Sequence, residues 1–153
     1  SMATLTVTVK EDVLINGVHR GSENVTDIDG ISEAYSRVLD LGTSADTELI
    51  KFGSADGAGT ISRSKLKYLR FTNLSTTAAN KITLSIEDTD SEQYIVSLEA
   101  GQSYVLRNTD FDANDASTSV AIGASYAFGG AIDLIMARAA AGTPQIEVFA
   151  AMS

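Results

Sequence analysis

Apolar and polar residues alternate along several short segments of this chain, from its beginning to its end. The clearest examples are the segments 3–10, 81–87 and 145–148. A period of two places one set of side chains on a buried face and the other set in water, which is typical of β-strands. The pattern therefore predicts an all-β protein.

The length of the chain fits a single domain. It has 153 residues and no cysteine. A chain of this size buries roughly two-thirds of the surface that its unfolded form exposes, so one core suffices without disulfides or metals. We predict one domain, residues 3–153, and interpret Ser1 and Met2 as a cleavage scar and the initiator methionine. Because no apolar run approaches the roughly 18 residues that cross a bilayer, we predict neither a membrane partner nor a signal peptide.

The net charge makes nucleic acid an unexpected partner. Twenty acidic residues against 11 basic ones give a formal charge of −9. A protein that neutralises phosphates needs a surplus of Lys and Arg, because counterion release supplies most of its non-specific affinity. We therefore predict no nucleic-acid partner.

Turn residues divide the chain into about eight strands. Asn16-Gly17 between apolar residues predicts a two-residue hairpin turn with both residues at positive φ. We predict irregular structure over 21–30, a loop over 53–59, and a long irregular stretch over 108–130 with a peripheral strand hidden in it. Strands are predicted over about 3–10, 31–41, 49–52, 66–73, 81–87, 93–98, 103–107, 131–138 and 145–150. A helix over 131–141 is the alternative for that Ala-rich segment. The spacing favours an antiparallel β-sandwich, jelly-roll-like in connectivity.

The strand at 66–73 contains a conflict of register. Leu66 and Tyr68 share one face, whereas Leu69 and Phe71 share the other. A single inward face requires a β-bulge near Tyr68.

The same region places three basic residues, Arg63, Lys65 and Lys67, on one face of an acidic protein. They are either a docking stripe for an acidic subunit or an anionic glycan, or solvated lysines that protect a sheet edge.

No catalytic constellation is recognisable, so we predict no enzymatic activity and no catalytic or cofactor-binding residues. His19 is the only histidine, and its position after a hairpin turn favours an exposed side chain. The glycine-rich loop 53–59 lacks the Gly-Lys-Ser/Thr ending that contacts phosphate. Paired carboxylates of the glycosidase type are left open by 20 candidate acids.

Two acidic clusters, at 88–92 and 110–115, alternate in the way that hard cations prefer. The second begins like an EF-hand loop, but Asp115 stands where the turn glycine belongs and Ala121 where the bidentate glutamate belongs. We predict no metal site, and interpret both clusters as polar loops in which Asp and Asn cap turns; a looser calcium loop is the alternative.

A resemblance enters with the central and final strands, in the segments 67–75, 82–86, 94–103 and 146–149. In the style of these strands, residues 66–150 are similar to small β-sandwich virion proteins of tailed bacteriophages. The resemblance implies a head-decoration or tail- or fibre-associated subunit, commonly a trimer, located in the virion and without catalytic residues.

Together these observations predict a non-enzymatic virion structural protein without cofactors, whose partners are itself and other virion proteins. Apolar residues on the second faces of strands, namely Ile95, Val105, Ile135 and Phe149, predict a homo-oligomer, expected to be a trimer. The alternatives are a carbohydrate-binding β-sandwich module and, less favoured, a small hydrolase.

Overall fold

The computed structural model describes residues 2–57, 59–109 and 131–153, and within these ranges the chain is all-β. One turn of 3-10 helix, Arg63–Lys65, precedes the eighth strand. The strands of the described residues are β1 Ala3–Lys10, β2 Val13–Ile15, β3 Val18–Arg20, β4 Glu23–Ile31, β5 Glu33–Asp40, β6 Thr47–Gly53, β7 Thr60–Ser62, β8 Leu66–Asn73, β9 Ile82–Asp88, β10 Gln93–Leu98, β11 Ser103–Leu106, β12 Ile132–Ala139 and β13 Gln145–Met152.

Two sheets enclose the main core. The five-stranded sheet has the order β10-β9-β12-β6-β7, and the four-stranded sheet has the order β11-β8-β13-β5. Both sheets contribute to one cluster of buried apolar side chains, as expected for sheets packed face to face. The prediction of an all-β fold is confirmed, whereas jelly-roll connectivity stays a prediction.

Strand β9 shows how the sequence specifies this core. Its residues alternate between buried and half-buried along the whole strand. Ile82, Leu84 and Ile86 have no exposed surface. The inward residues before Asp88 are all apolar, so a slip of one residue would move them to the half-buried outward face.

The predicted bulge is present in β8. Tyr68 pairs with Ala151 and Leu66 pairs with Met152, so Lys67 is an extra residue opposite β13. The bulge brings Leu66 onto the same inward face as Leu69, and both belong to the main core. Tyr68 points away from that core and is buried on the other side of the sheet.

Several strand predictions need correction. Residues 21–30 are not irregular, because β4 occupies most of the range and pairs with β1. The predicted strand over 31–41 divides at Ser32 into the end of β4 and the whole of β5. The short strand β7 was not predicted; it runs parallel to β6. The described residues hold thirteen strands rather than about eight.

Other predictions fare differently. The Ala-rich segment forms the strand β12, so the alternative of a helix is wrong. The turn at Asn16-Gly17 is confirmed, with φ of 51° and 78°. The peripheral strand predicted within 108–130 falls on residues 110–130, which lie outside the described residues. No helix in the described ranges is long and apolar enough to span a bilayer.

Truncation of the core provides the first prediction. Leu84→Ala is expected to lower the free energy of unfolding by about 2–5 kcal/mol, since it loses transfer energy and leaves a cavity in a close-packed interior. Urea unfolding measures the loss. The matched control is Ile95→Ala on the adjacent strand β10, where 55% of the side chain is exposed and a change below about 1 kcal/mol is expected. Equal losses in the two variants would contradict the assigned register.

Candidate interaction surface

A two-stranded ribbon at the N-terminal end of the chain projects from the sandwich. Every residue from Thr8 to Asp27 is exposed, and we call this stretch the arm. Half of the large apolar side chains that are exposed in the described residues lie in the arm, namely Val9, Val13, Leu14, Ile15, Val18 and Val25. Exposed apolar side chains gathered in one region indicate an interaction surface.

The arm is a single ribbon in one register. The pairing of β1 with β4 ends at Lys10 and Glu23, and the pairing of β2 with β3 begins at Val13 and Arg20. Two residues separate these pairs on both strands, so nothing is inserted between the halves. The arm therefore keeps one register up to the Asn16-Gly17 turn, although residues 11–12 and 21–22 lie outside the strands and Gly21 has a φ of 116°.

The two faces of the arm differ in chemistry. On one face, Thr6 Oγ1 donates to Asp27 Oδ1 at 2.8 Å, and nearer the turn His19 Nδ1 lies 3.0 Å from Asp12 Oδ1. We call this the polar face. Because side chains alternate along each strand, the neighbours of these residues lie on the opposite face. We call it the apolar face. At the base of the arm it carries Leu5, Val7 and Ile28, and farther out it carries Val9, Val13, Ile15 and Val18. The same face also holds Glu11, Arg20, Ser22, Asn24 and Thr26.

A bulge in β4 fixes the base of the arm to the sandwich. Ala3 pairs with Ile31 and Leu5 pairs with Ile28, so β4 has one extra residue where Gly30 adopts a φ of 75°. Without the bulge, Ile28 and Ile31 would lie on opposite faces; with it, both are buried against the four-stranded sheet. The contact forms a second apolar cluster of Ile28, Ile31, Tyr68 and Ala151, with Leu5, Val7 and Phe149 packed against it.

Part of the same sheet surface is left uncovered beside the arm base. Arg70 and Glu147 form an ion pair at 2.6 Å, and the Arg70 guanidinium lies 5.8 Å from the centre of the Phe149 ring. Val38 and Val105, on the two edge strands, are 49% and 43% exposed. We call the surface formed by these five residues the outer face. It combines exposed apolar groups with one charge of each sign.

A cleft of about 470 Å³ opens between the edges of the two sheets. Glu33, Tyr35 and Arg37 line it from β5, while Lys51 and Ile61 line it from β6 and β7. Its volume is in the range of small-ligand sites, and its lining combines an aromatic ring with charges of both signs.

The predicted basic stripe does not exist as one face. Arg63 and Lys65 lie in the 3-10 turn, where strand alternation does not apply, and each pairs within the chain. Arg63 Nη2 lies 3.0 Å from Asp133 Oδ1, and Lys65 Nζ lies 2.5 Å from Asp56 Oδ2. The hydrogen bond from Lys65 lowers the pKa of the Asp56 carboxyl, with a second contribution from a backbone N–H. These cations stabilise the loop and turn of their own chain.

His19 has the exposed position predicted for it. Its side chain is 72% exposed beside Asp12, on the polar face near the turn of the arm. The imidazole therefore lies in water, next to one carboxylate that is itself 54% exposed.

The acidic cluster at 88–92 caps a turn. Asp88 Oδ1 accepts hydrogen bonds from the backbone N–H groups of Asp90 and Glu92, both at 2.9 Å. This agrees with the interpretation of a polar loop capped by aspartate. Among the described residues, no group of three or more His, Cys, Asp or Glu is placed to hold a metal ion. The second cluster, 110–115, lies outside the described residues.

Of the four apolar residues predicted on second faces, the structure exposes only two. Ile95 and Val105 are exposed on the outward sides of their sheets. Ile135 is buried in the main core, so its assignment to a second face is wrong. Phe149 is half-buried, with the arm base and Arg70 against it.

The arm was not predicted from the sequence as one structural unit. A signal for it was present, because counting outward from the Asn16-Gly17 turn brings Thr6 opposite Asp27 and Leu5 opposite Ile28. The first pair is polar and the second is apolar, as expected for the two faces of one long hairpin.

Shortening the arm separates its role from that of the core. We expect a variant in which Val7 is joined to Thr26 through Asn-Gly, a preferred two-residue hairpin turn, to fold normally, because this pair has the same place in the hydrogen-bonding pattern as Ile15 and Val18. Because every removed residue is exposed, the free energy of unfolding should change by less than about 1 kcal/mol. Thermal and urea unfolding measure this, with Leu84→Ala as the destabilised reference. A loss as large as that of Leu84→Ala would show that the arm is part of the folding core.

Comparison of the chain with protein families, with curated proteins and with solved structures finds no match. The function therefore has to be inferred from the residues themselves. Three features are distinctive: the exposed arm, the outer face beside its base, and the cleft between the sheet edges.

Proposed function

We propose that this protein is a non-enzymatic structural subunit of a bacteriophage virion, either a capsid decoration protein or a tail- or fibre-associated protein. It acts by self-assembly and by docking on other virion proteins. The observation that carries the proposal is the arm, a long exposed ribbon with one apolar face.

An arm of this kind is poorly suited to a protein that acts alone in water. An isolated two-stranded hairpin is at best marginally stable, because neither face is covered. Its outer strand edges also present unpaired backbone groups, which favour association with another chain. An arm stabilised by a partner removes both difficulties.

The size of the arm fits a specific interface. It contributes roughly 20 consecutive exposed residues, which approaches the 20–30 residues per side of a standard protein–protein contact. The apolar face supplies the central part of such a contact, and the charged residues of the ribbon supply a polar rim.

The remaining support comes from the sequence. The strands over 66–150 are similar in style to small virion β-sandwiches, which are commonly trimers, and we propose a trimer here. A charge of −9 keeps free copies apart at the high concentrations that precede assembly.

Labelling of particles tests the proposal. An antibody raised against the purified protein is expected to decorate phage particles isolated from the source culture, with many gold labels per particle in electron micrographs. The matched control is the same serum absorbed with the purified protein. Unlabelled particles, together with the protein found only in the soluble fraction of infected cells, would contradict a virion role.

The cleft favours a second candidate function, a carbohydrate-binding module. Tyr35 offers a ring on which a sugar stacks, and Arg37 and Glu33 offer hydrogen-bonding groups in a space of about 470 Å³. A glycan array tests this. A hit that is lost in Tyr35→Ala but kept in Tyr94→Ala, an exposed tyrosine on β10, would support it; an array without hits would contradict it.

A further inference from the structure

We propose that the arm binds a second copy of this chain, and that its apolar face packs on the outer face of the neighbouring copy. This inference rests on the proposed function, because it names the partner of the arm within the assembly.

The proposed contact continues one that the chain already makes within a single copy. At the arm base, Ile28 and Ile31 pack on Tyr68 and Ala151 of the four-stranded sheet. The apolar face continues beyond this contact into the exposed arm. The same side of the sheet continues beyond it into the outer face. The apolar face and the outer side of the four-stranded sheet therefore pack together at the arm base, and both are uncovered beyond it.

Within one copy the arm does not make this contact. Every residue of the arm is exposed, so none of them packs on the sheet that supports its base. The turn begins at Asn16, eight residue steps beyond Thr8, which corresponds to about 27 Å at the rise of a β-strand. The radius of gyration of a 153-residue domain is about 15 Å, so the arm is long enough to cross much of a neighbour.

The charges on the two surfaces do not oppose the contact. The exposed part of the apolar face includes Glu11 and Arg20 among its aliphatic residues. The outer face includes Arg70 and Glu147, which already pair with each other at 2.6 Å, among valines and Phe149. Each surface thus presents one carboxylate and one guanidinium, so these residues give neither surface a net charge that would repel the other.

The contact is heterologous, because the arm of one copy meets a different surface of the next. Such contacts produce closed rings when the rotation between copies closes, and filaments when it does not. A ring of three copies is the form that agrees with the proposed trimer.

Disulfide trapping tests the contact directly, because the chain has no cysteine of its own. One copy carries Val18→Cys on the apolar face, and a second copy, lengthened by a tag, carries Val38→Cys or Val105→Cys on the outer face. The two copies are produced together and oxidised mildly. On a non-reducing gel, we expect a cross-linked band that contains one tagged and one untagged copy, with at least one of the two outer-face positions.

Matched controls use exposed residues on surfaces that the proposal leaves free. Leu14→Cys lies on the polar face of the same arm, and Ile95→Cys lies on the outward side of the other sheet. We expect at least tenfold less mixed cross-link when either control replaces its counterpart. Equal cross-linking with the controls would overturn the inference, as would a Val18→Cys copy that links mainly to itself.

A second variant tests the contact without cysteines. Ile15→Lys combined with Val18→Glu keeps the net charge and places an ion pair across the strands, so the hairpin is preserved while the apolar face loses its two aliphatic side chains next to the turn. Light scattering is expected to show an oligomer for the native chain and a monomer for this variant, whereas Leu14→Gln stays oligomeric. An oligomer unaffected by the double substitution would overturn the inference.

The results also separate this inference from the virion role. If the purified chain is monomeric at high concentration but the antibody still labels the particles, the second-copy inference is overturned and the proposed function stands. If the two copies form mixed cross-links but the antibody never labels particles, the second-copy inference stands and the virion role is contradicted.

Discussion

The arm leaves the sandwich in a fixed direction because Tyr68 and Ala151 are buried beneath Ile28 and Ile31. Two irregularities make this packing possible. The extra residue at Lys67 lets Leu66 join the main core although Tyr68 faces the arm base, and the extra residue near Gly30 turns Ile31 toward the sheet. The four-stranded sheet consequently buries apolar residues on both sides, the main core on one and the arm base on the other. Without the bulge near Gly30, Ile31 would lie on the side of β4 that faces away from Tyr68 and Ala151.

The sequence specified the strands whose two faces differ most. In β9, apolar and polar residues alternate because one face is in the main core and the other is half-exposed, so the strand was predictable to within one residue. The bulge in β8 was predictable for the same reason, since Leu66 and Leu69 could not otherwise share an inward face. In both strands, burial determines which residues are apolar, so the order of apolar and polar residues in the strand is enough to predict its structure.

The arm was harder to predict because burial does not constrain most of it. Strand β4 carries polar residues on both faces over much of its length, and only Ile28 and Ile31 near its end are buried. Its support comes from Tyr68 and Ala151, which are distant in sequence. The basic stripe failed for a related reason, because a 3-10 turn at Arg63–Lys65 interrupts the strand alternation that the prediction assumed.

The chain passes from β4 into β5 through one residue, Ser32, whose N–H donates to the carbonyl oxygen of Met152 at 2.9 Å. There is thus no slack segment between the arm and the sandwich. Tension applied at the tip of the arm is transmitted along β4 and enters β5 at Glu33, where β13 is already paired with it. In an assembly whose copies pull against one another, force on the arm would therefore be transmitted through paired strands directly into the four-stranded sheet.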